Sequence, residues 1–382
     1  RDPGPARFHS SPIMNHVPVE NGIPAAPPAL EPRTTSSIAG ALEAWFPEAA
    51  RELPWRTRRS GYHALVSEAM LQQTQVARVV DSFLRFVARF PTVESLAEAD
   101  EQDVLALWQG LGYYRRARNL HAAARMVCDE FDGEVPGRAD LLLKLPGVGR
   151  YTAGAIASIV NGERAPIVDG NVARVLSRLA RFPGRPGERA FDRWCWSQSE
   201  AMVLSASDPG VLNEAMMELG ATVCTKHSPA CDRCPASAHC RAAVAGDPQE
   251  FPTPKPPPAR KVVHHHALLL TRTHRNRSEV FLQQRPDEGL WARMWQPPTL
   301  ETDRRLSLSE LGTRWKVDPR SMDRSLEFTH RTSHRDVCFH VHVTSSRPGV
   351  ELSGRWHPAG SLGEIPLANP HARMIRDLAG GS

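Results

Sequence analysis

Residues 145–171 place a tight turn, a tyrosine and a carboxylate at fixed offsets: Leu145-Pro-Gly-Val-Gly-Arg-Tyr, then Val168-Asp-Gly-Asn. Gly147 and Gly149 carry no side chain to cover the backbone ahead of a helix of small and apolar residues. Uncovered N–H groups before a helix suit a phosphate. Asp169 stands just before a second helix, Gly170 to Leu179. Alone, it reads as an N-cap. Together the two features offer a grip on DNA that ignores base sequence and a carboxylate able to act on what is held.

A second carboxylate, Glu68, lies in Ser67-Glu-Ala-Met-Leu-Gln-Gln-Thr-Gln-Val. Alone it reads as a solvated helix residue. The apolar stripe around it runs Leu65, Ala69, Val76, Val80 and Phe83, and Gln72 and Gln73 fall where that stripe should be apolar. Buried amides need partners, so a polar network or a ligand is expected there. Tyr113 and Tyr114 follow two glycines in a loop, where aromatics either pack or wedge between bases. Four of the seven cysteines, Cys224, Cys231, Cys234 and Cys240, form a C-x6-C-x2-C-x5-C run. Such a run can wrap one soft centre, iron–sulfur or zinc. Only Cys231 and Cys234 make a knuckle of the kind zinc usually takes in pairs, which favours a [4Fe–4S] cluster. Cys128, Cys195 and Cys338 read as ordinary residues.

These groups need a scaffold, and the apolar spacing from Ser37 to about residue 245 is helical. It predicts helices at 38–48, 62–90, 100–108, 115–130, 138–144, 151–161, 170–180, 188–203 and 210–222. The expected organisation is a disordered Pro-rich extension over 1–35 and an all-α domain over 36–246. A Pro-rich linker over 247–261 and a mixed α/β domain over 262–382 follow. In the last, strands are expected at Val262–Leu270, Glu279–Gln284 and Val337–Val343, and helices at Ser307–Leu311 and Pro370–Leu378. His264 to His266 read as strand rather than as metal ligands. A net charge of +5 over 382 residues permits a nucleic-acid partner without requiring one. No apolar run is long enough for a membrane span. The clustered cysteines and the lack of a signal-like start point to an intracellular, cytoplasmic protein.

In order and spacing, these segments resemble the MutY-type adenine DNA glycosylases of the helix-hairpin-helix superfamily. The marks are Leu53-Pro-Trp-Arg, the Glu68 segment, Gly110-Leu-Gly-Tyr-Tyr, the hairpin, Val168-Asp-Gly-Asn, Asn213-Glu and the cysteine run. The resemblance implies excision of adenine mispaired with 8-oxoguanine or guanine in duplex DNA, by a monomer associated with the nucleoid. It implies a [4Fe–4S] cluster on the four cysteines and phosphate binding at Gly147 and Gly149. Glu68 takes the position of the acid that protonates the departing adenine, and Asp169 that of the carboxylate facing the sugar. Tyr151 and Asn171 match supporting positions. Trp55, Arg56 and Glu214 match the lining of the adenine pocket. Gln73, Thr74, Leu111 and Tyr113 match positions that probe the base stack.

Tyr151 bears on the reaction type. The endonuclease III family carries a lysine there, able to form a Schiff base and cut the strand. Tyrosine cannot, and Lys144 is expected to face away, so a monofunctional glycosylase is expected rather than a lyase or a non-catalytic DNA binder. Residues 262–382 resemble the Nudix-like C-terminal domain of the same family, without the carboxylate array of Nudix hydrolases. Ser333 and His334 match a Phe-Ser-His loop that senses 8-oxoguanine, and Thr332 replaces its aromatic residue.

Overall fold

A computed structural model describes residues 28–254, 259–322, 324–344 and 348–379. Residues 1–27 of the expected extension and 255–258 of the expected linker lie outside them. The helical part comprises α1 (Pro32–Ala49), α2 (Pro54–Thr57), α3 (Gly61–Leu71), α4 (Val76–Arg89), α5 (Val93–Ala97) and α6 (Glu101–Leu107). It continues with α7 (Arg115–Glu130), α8 (Ala139–Leu142), α9 (Arg150–Asn161), α10 (Gly170–Ala180), α11 (Arg189–Ser205), α12 (Pro209–Thr222) and α13 (Arg241–Ala245). The expected helices at 115–130 and 170–180 appear with the same bounds. Two expectations are corrected. The 62–90 helix is broken at Gln72–Gln75, so the stripe from Leu65 to Phe83 belongs to two helices rather than one. And α1 begins at Pro32, inside the stretch expected to be disordered. Proline at the first helical position has its φ preset and no N–H to leave unpaired. The segment ahead of α1 is also tied down, because Gln198 Oε1 accepts the Leu30 N–H at 2.9 Å.

The helices form two lobes with separate cores. Residues from Tyr62 to Ala165 pack around Phe86, Phe90, Trp108 and Leu105. The second core joins α1, through Ile38, Leu42 and Phe46, to residues 155–251. The chain thus starts in one lobe, builds the other, and returns. Part of the expected linker belongs to the second lobe: Phe251 is buried in its core, and the Thr253 N–H donates to Gly184 O at 3.2 Å.

Beyond it the strands are β1 (Lys261–His274), β2 (Arg277–Gln284), β3 (Trp295–Gln296), β4 (Thr299–Thr302), β5 (Arg324–Arg331), β6 (Arg335–Thr344) and β7 (Arg355–Pro358). The sheet order is β3-β2-β1-β6-β5, with β4 paired to β1 and β7 to β2. β1 and β6 run parallel with Lys261 opposite Arg335, and β5 and β6 form an antiparallel hairpin turning at 332–334. Alternation of side chains sends Ala267 and Leu269 to one face, against α15 (Asn369–Ala379). Leu268 and Leu270 go to the other face, against α14 (Leu308–Trp315). His264 to His266 lie in β1 as expected. His264 and His266 also stack on His340 of β6, with ring centroids 5.3 and 4.8 Å apart.

Candidate active site and cysteine loop

The cavity between the two helical lobes is lined by Glu68, Tyr151, Asp169 and Asn171, together with Trp55, Arg56, Gln73, Thr74, Gly147, Gly149 and Glu214. Glu68 comes from the last turns of α3 and is 9% exposed. Its carboxyl is pushed up to about 7, chiefly by burial. A hydrogen bond from Tyr151 opposes the shift, and the nearby Asp169 and Glu214 carboxylates add to it. The Tyr151 hydroxyl also lies 2.9 Å from Met217 Sδ. Burial raises its pKa well above the ordinary tyrosine value, and the Glu68 and Asp169 charges push the same way, so the phenol keeps its proton.

Asp169 is both an N-cap and a cavity wall. Its Oδ1 accepts the Val172 N–H at 2.7 Å, capping α10, and its Oδ2 accepts Asn171 Nδ2 at 3.1 Å. Burial raises its pKa, while these hydrogen bonds and Arg174 pull it back. The carboxylate is therefore fixed in direction on the opposite lobe from Glu68. Asn171 Oδ1 in turn accepts Arg174 Nη2 at 2.8 Å, and Arg174 Nε donates to Cys224 O at 2.9 Å.

Arg56 and Glu214 are bonded to each other, Nε to Oε1 at 3.0 Å. Arg59 reaches Glu214 at 2.6 Å, and Arg56 and Arg51 reach Glu218 at 2.9 and 2.5 Å. Burial alone would raise the Glu218 pKa, but the bonds from Arg51 and Arg56 more than offset it and hold it below the ordinary value. This network fixes one wall of the cavity. Trp55 packs edge-on to Phe83, centroids 5.4 Å apart. At the hairpin, Gly147 has φ +78°, and a Cβ there would sit 2.6 Å from Asn119 Cβ. Gly149 heads α9 without a side-chain cap, and a Cβ on it would meet nothing within 4 Å. No neighbour within the fold requires glycine there, yet its small size leaves the helix start open to an approaching backbone.

The remaining expected contacts lie elsewhere. Leu111 packs in the core at 6% exposure instead of projecting, and its carbonyl accepts Arg116 Nη2 at 3.0 Å. Tyr113 is 49% exposed, and its hydroxyl hydrogen-bonds Ser333 Oγ in the β5–β6 turn. The His334 carbonyl accepts the Lys261 N–H at 3.1 Å. Thr332 closes the same turn through its hydroxyl, which donates to Arg335 O and accepts from Arg335 N, both at 3.0 Å. Between the domains, Gln73, Tyr113, Trp291, His330 and Thr332 line a second cleft. Gln73, Tyr113 and Trp291 have φ of 57°, 49° and 56°, so three left-handed residues from three loops meet there.

Sequence reasoning missed Arg116, which is 8% exposed and donates to the carbonyls of Ala69, Met70, Gln72, Leu111 and Gly112 and to Thr74 Oγ1. One guanidinium thus ties the break after α3 to the loop before α7. Its run, Arg115-Arg-Ala-Arg, is indistinguishable from a solvated basic face. Arg150 and Trp196, also on the cavity, carried no signal either.

Cys224, Cys231, Cys234 and Cys240 are free thiols around one small cavity. Arg178, 2% exposed, lies with Nη1 3.2 Å from Cys224 Sγ and donates to the carbonyls of Cys224, Thr225, Lys226 and Phe251. Four thiols beside a buried cation fit a soft, anionic metal–thiolate centre. Among the described residues no three His, Cys, Asp or Glu side chains are grouped as a single metal ion requires.

Residues 66–200 match the HhH-GPD superfamily base excision DNA repair protein family, and residues 267–377 match the NUDIX domain family. The chain is 35% identical to the adenine DNA glycosylase of Homo sapiens over 84% of its own length and 68% of the relative's. It is 42% identical to that of Mycolicibacterium smegmatis, over 54% and 70% respectively. It spans only 40% of the rat and 48% of the Arabidopsis thaliana adenine DNA glycosylases. A thermostable thymine-DNA glycosylase structure aligns at TM-score 0.49 and 24% identity, covering 56% of this chain and 98% of that one. With a buried acid and a capping carboxylate facing one cavity from two helical lobes, and with these relatives, the chain belongs to the adenine DNA glycosylase family.

Proposed function

We propose that this chain removes adenine from mispairs with 8-oxoguanine, and with guanine, in duplex DNA, and that it leaves the abasic strand uncut. The observation that carries this reading is the pair Glu68 and Asp169 on one cavity, with the Glu68 carboxyl near neutrality in pKa. Adenine must leave the base stack to enter. Protonated Glu68 gives its proton to an adenine ring nitrogen, and the electrons of the C1′–N9 bond leave with the base. Asp169 stabilises the cationic sugar or bonds to it transiently. Water then adds at C1′ and loses its proton to the Glu68 carboxylate. Tyr151 and Asn171 hold the two carboxylates in place. Among the described residues lining the cavity there is no lysine, which supports a monofunctional reaction.

Gly147 and Gly149 grip the DNA backbone, and Trp55, Arg56 and Glu214 line the adenine pocket. Gln73, Thr74 and Tyr113 approach the base stack, Leu111 supports them from the core, and Ser333 and His334 read the opposite base. The four thiols would hold a [4Fe–4S] cluster, bound beside the Arg178 guanidinium. The domain division falls within the expected linker 247–261, after Thr253, and the protein acts as an intracellular monomer. No described helix is long and apolar enough to cross a membrane.

Single-turnover assays on duplexes with adenine opposite 8-oxoguanine, guanine or cytosine test the reading. Adenine release fastest opposite 8-oxoguanine is expected, and no release from any duplex refutes it. Borohydride trapping on an abasic duplex should give no covalent complex. Absorbance near 400 nm, roughly where thiolate-ligated clusters absorb, separates the cluster from colourless zinc.

A further inference from the structure

We propose that Trp196 is a positioning residue that holds Arg150 at the mouth of the catalytic cavity, where the guanidinium clamps a DNA phosphate. The Arg150 Cζ lies 3.8 Å from the Trp196 ring centroid, the closest cation–π contact among the described residues. Both side chains line the cavity that holds Glu68 and Asp169. Trp196 is half-buried on α11, whose neighbouring Trp194 and Cys195 belong to the core of the second lobe. Arg150 is exposed and starts α9, directly after Gly149 of the hairpin. The stack therefore joins the hairpin to a helix of the second lobe.

Two facts say what Arg150 is for. It makes no hydrogen bond or ion pair among the described residues, so the edges of its guanidinium are open while its face is occupied. A stacked guanidinium keeps its N–H fork free for a phosphate, and it has already lost the rotamer freedom that binding would otherwise cost. Moreover, a cation in the first turn of a helix opposes the helix dipole, with no acidic partner in that turn to relieve it. The helix dipole alone disfavours an arginine there, and the Trp196 stack is the contact that offsets it. A bound phosphate reverses the sign, since it meets the helix start and the guanidinium together. Trp196 keeps Arg150 from swinging away into solvent.

The inference rests on the glycosylase reading only for the nature of the ligand, and its test separates the two. Affinity of the full chain is measured across a salt series for an undamaged duplex and for one carrying 2′-fluoroadenosine opposite 8-oxoguanine. Arg150→Gln should weaken binding about 10-fold at low salt and lower the slope of log K against log salt by roughly one contact. Trp196→Ala should weaken it about 3- to 10-fold, and Trp196→Phe should restore it to within about 2-fold, since phenylalanine also presents a ring face. The double variant should bind no more weakly than Arg150→Gln alone, the mark of two residues acting as one. Additive losses, an unchanged salt slope in Arg150→Gln, or Trp196→Phe as weak as Trp196→Ala would overturn the proposal. Arg150 is exposed, so its variant keeps the test sound even if Trp196→Ala fails to fold. Loss of these binding effects with normal adenine release sinks this inference alone, whereas the effects without any adenine release sink the glycosylase reading alone.

Discussion

At the scale of single residues, the site depends on a carboxyl that the fold keeps partly protonated. Glu68→Gln and Asp169→Asn should each reduce single-turnover excision by at least about 100-fold while duplex binding persists, because each removes a charge or proton used in the reaction and little volume. A rate near the parent's in either variant would remove that residue from its role. The raised Glu68 pKa has two pH consequences. The acid form does the work, so excision should fall as pH rises through about 7. The folded state also binds a proton more tightly than the unfolded chain does. Stability from this group is full below the ordinary carboxyl range and lost as pH climbs to about 7. Glu68→Gln, which cannot ionise, should therefore be more stable than the parent at pH 8, by on the order of 2–3 kcal/mol, and nearly equal to it at pH 4. Thermal melts at the two pH values decide this. Much of the site was legible in residue types: Glu68, Tyr151 and Asp169 do meet. The local reading of Asp169 was accurate too, since it caps α10 as any aspartate in that place would, whereas Glu68 is buried rather than solvated. What spacing could not give was burial, and burial is what turns a helix-face glutamate into an acid.

Among the elements, the break between α3 and α4 matters most. Apolar spacing runs from Leu65 through Val76 to Phe83 and reads as one helix, because Gln72-Gln-Thr-Gln contains no glycine or proline to mark a stop. The fold ends α3 there through a tertiary contact, the six acceptors gathered by Arg116, which lies some forty residues downstream. Burial lowers the pKa of that guanidinium to about 10, so it stays charged at neutral pH. Arg116→Met should cost ~3 kcal/mol or more, because it strands several buried carbonyls. Denaturant titration measures the loss. Gln73 should move with it, so excision should fall further than stability alone explains. Where strong local pattern and tertiary contact agree, as in α7 and α10, sequence and structure coincide. Strand β5 escaped the pattern because its residues, Arg-Ser-Leu-Glu-Phe-Thr-His-Arg, alternate against a mostly polar face. Their partner, β6, is what makes them a strand.

For the whole molecule, the sheet domain is packed onto the helical one as well as tethered to it. Met294 and Ala368 enter the core of the first lobe, Arg118 Nη1 donates to Ala292 O at 2.8 Å, and Arg293 pairs with Glu101 at 3.2 Å. This packing sets Ser333 against Tyr113 across the cleft. Ser333→Ala should lower the ratio of excision rates opposite 8-oxoguanine and guanine by about 3- to 10-fold, the worth of one hydrogen bond to a lesion. An unchanged ratio would place lesion reading elsewhere. The Pro-rich segment marked the change of texture in the sequence, but composition could not show that the two parts would share a core. The return of the chain to its first lobe has a further consequence, one of time. Helix α1 leaves the ribosome well before its partners: α11 and α12, with which Ile38, Leu42 and Phe46 share a core, begin at Arg189 and Pro209, after α1 has ended at Ala49. At translation rates of about 5–20 residues per second, its apolar face waits on the order of ten to thirty seconds for a partner. Throughout that interval Ile38, Leu42 and Phe46 lack the neighbours that bury them in the folded chain.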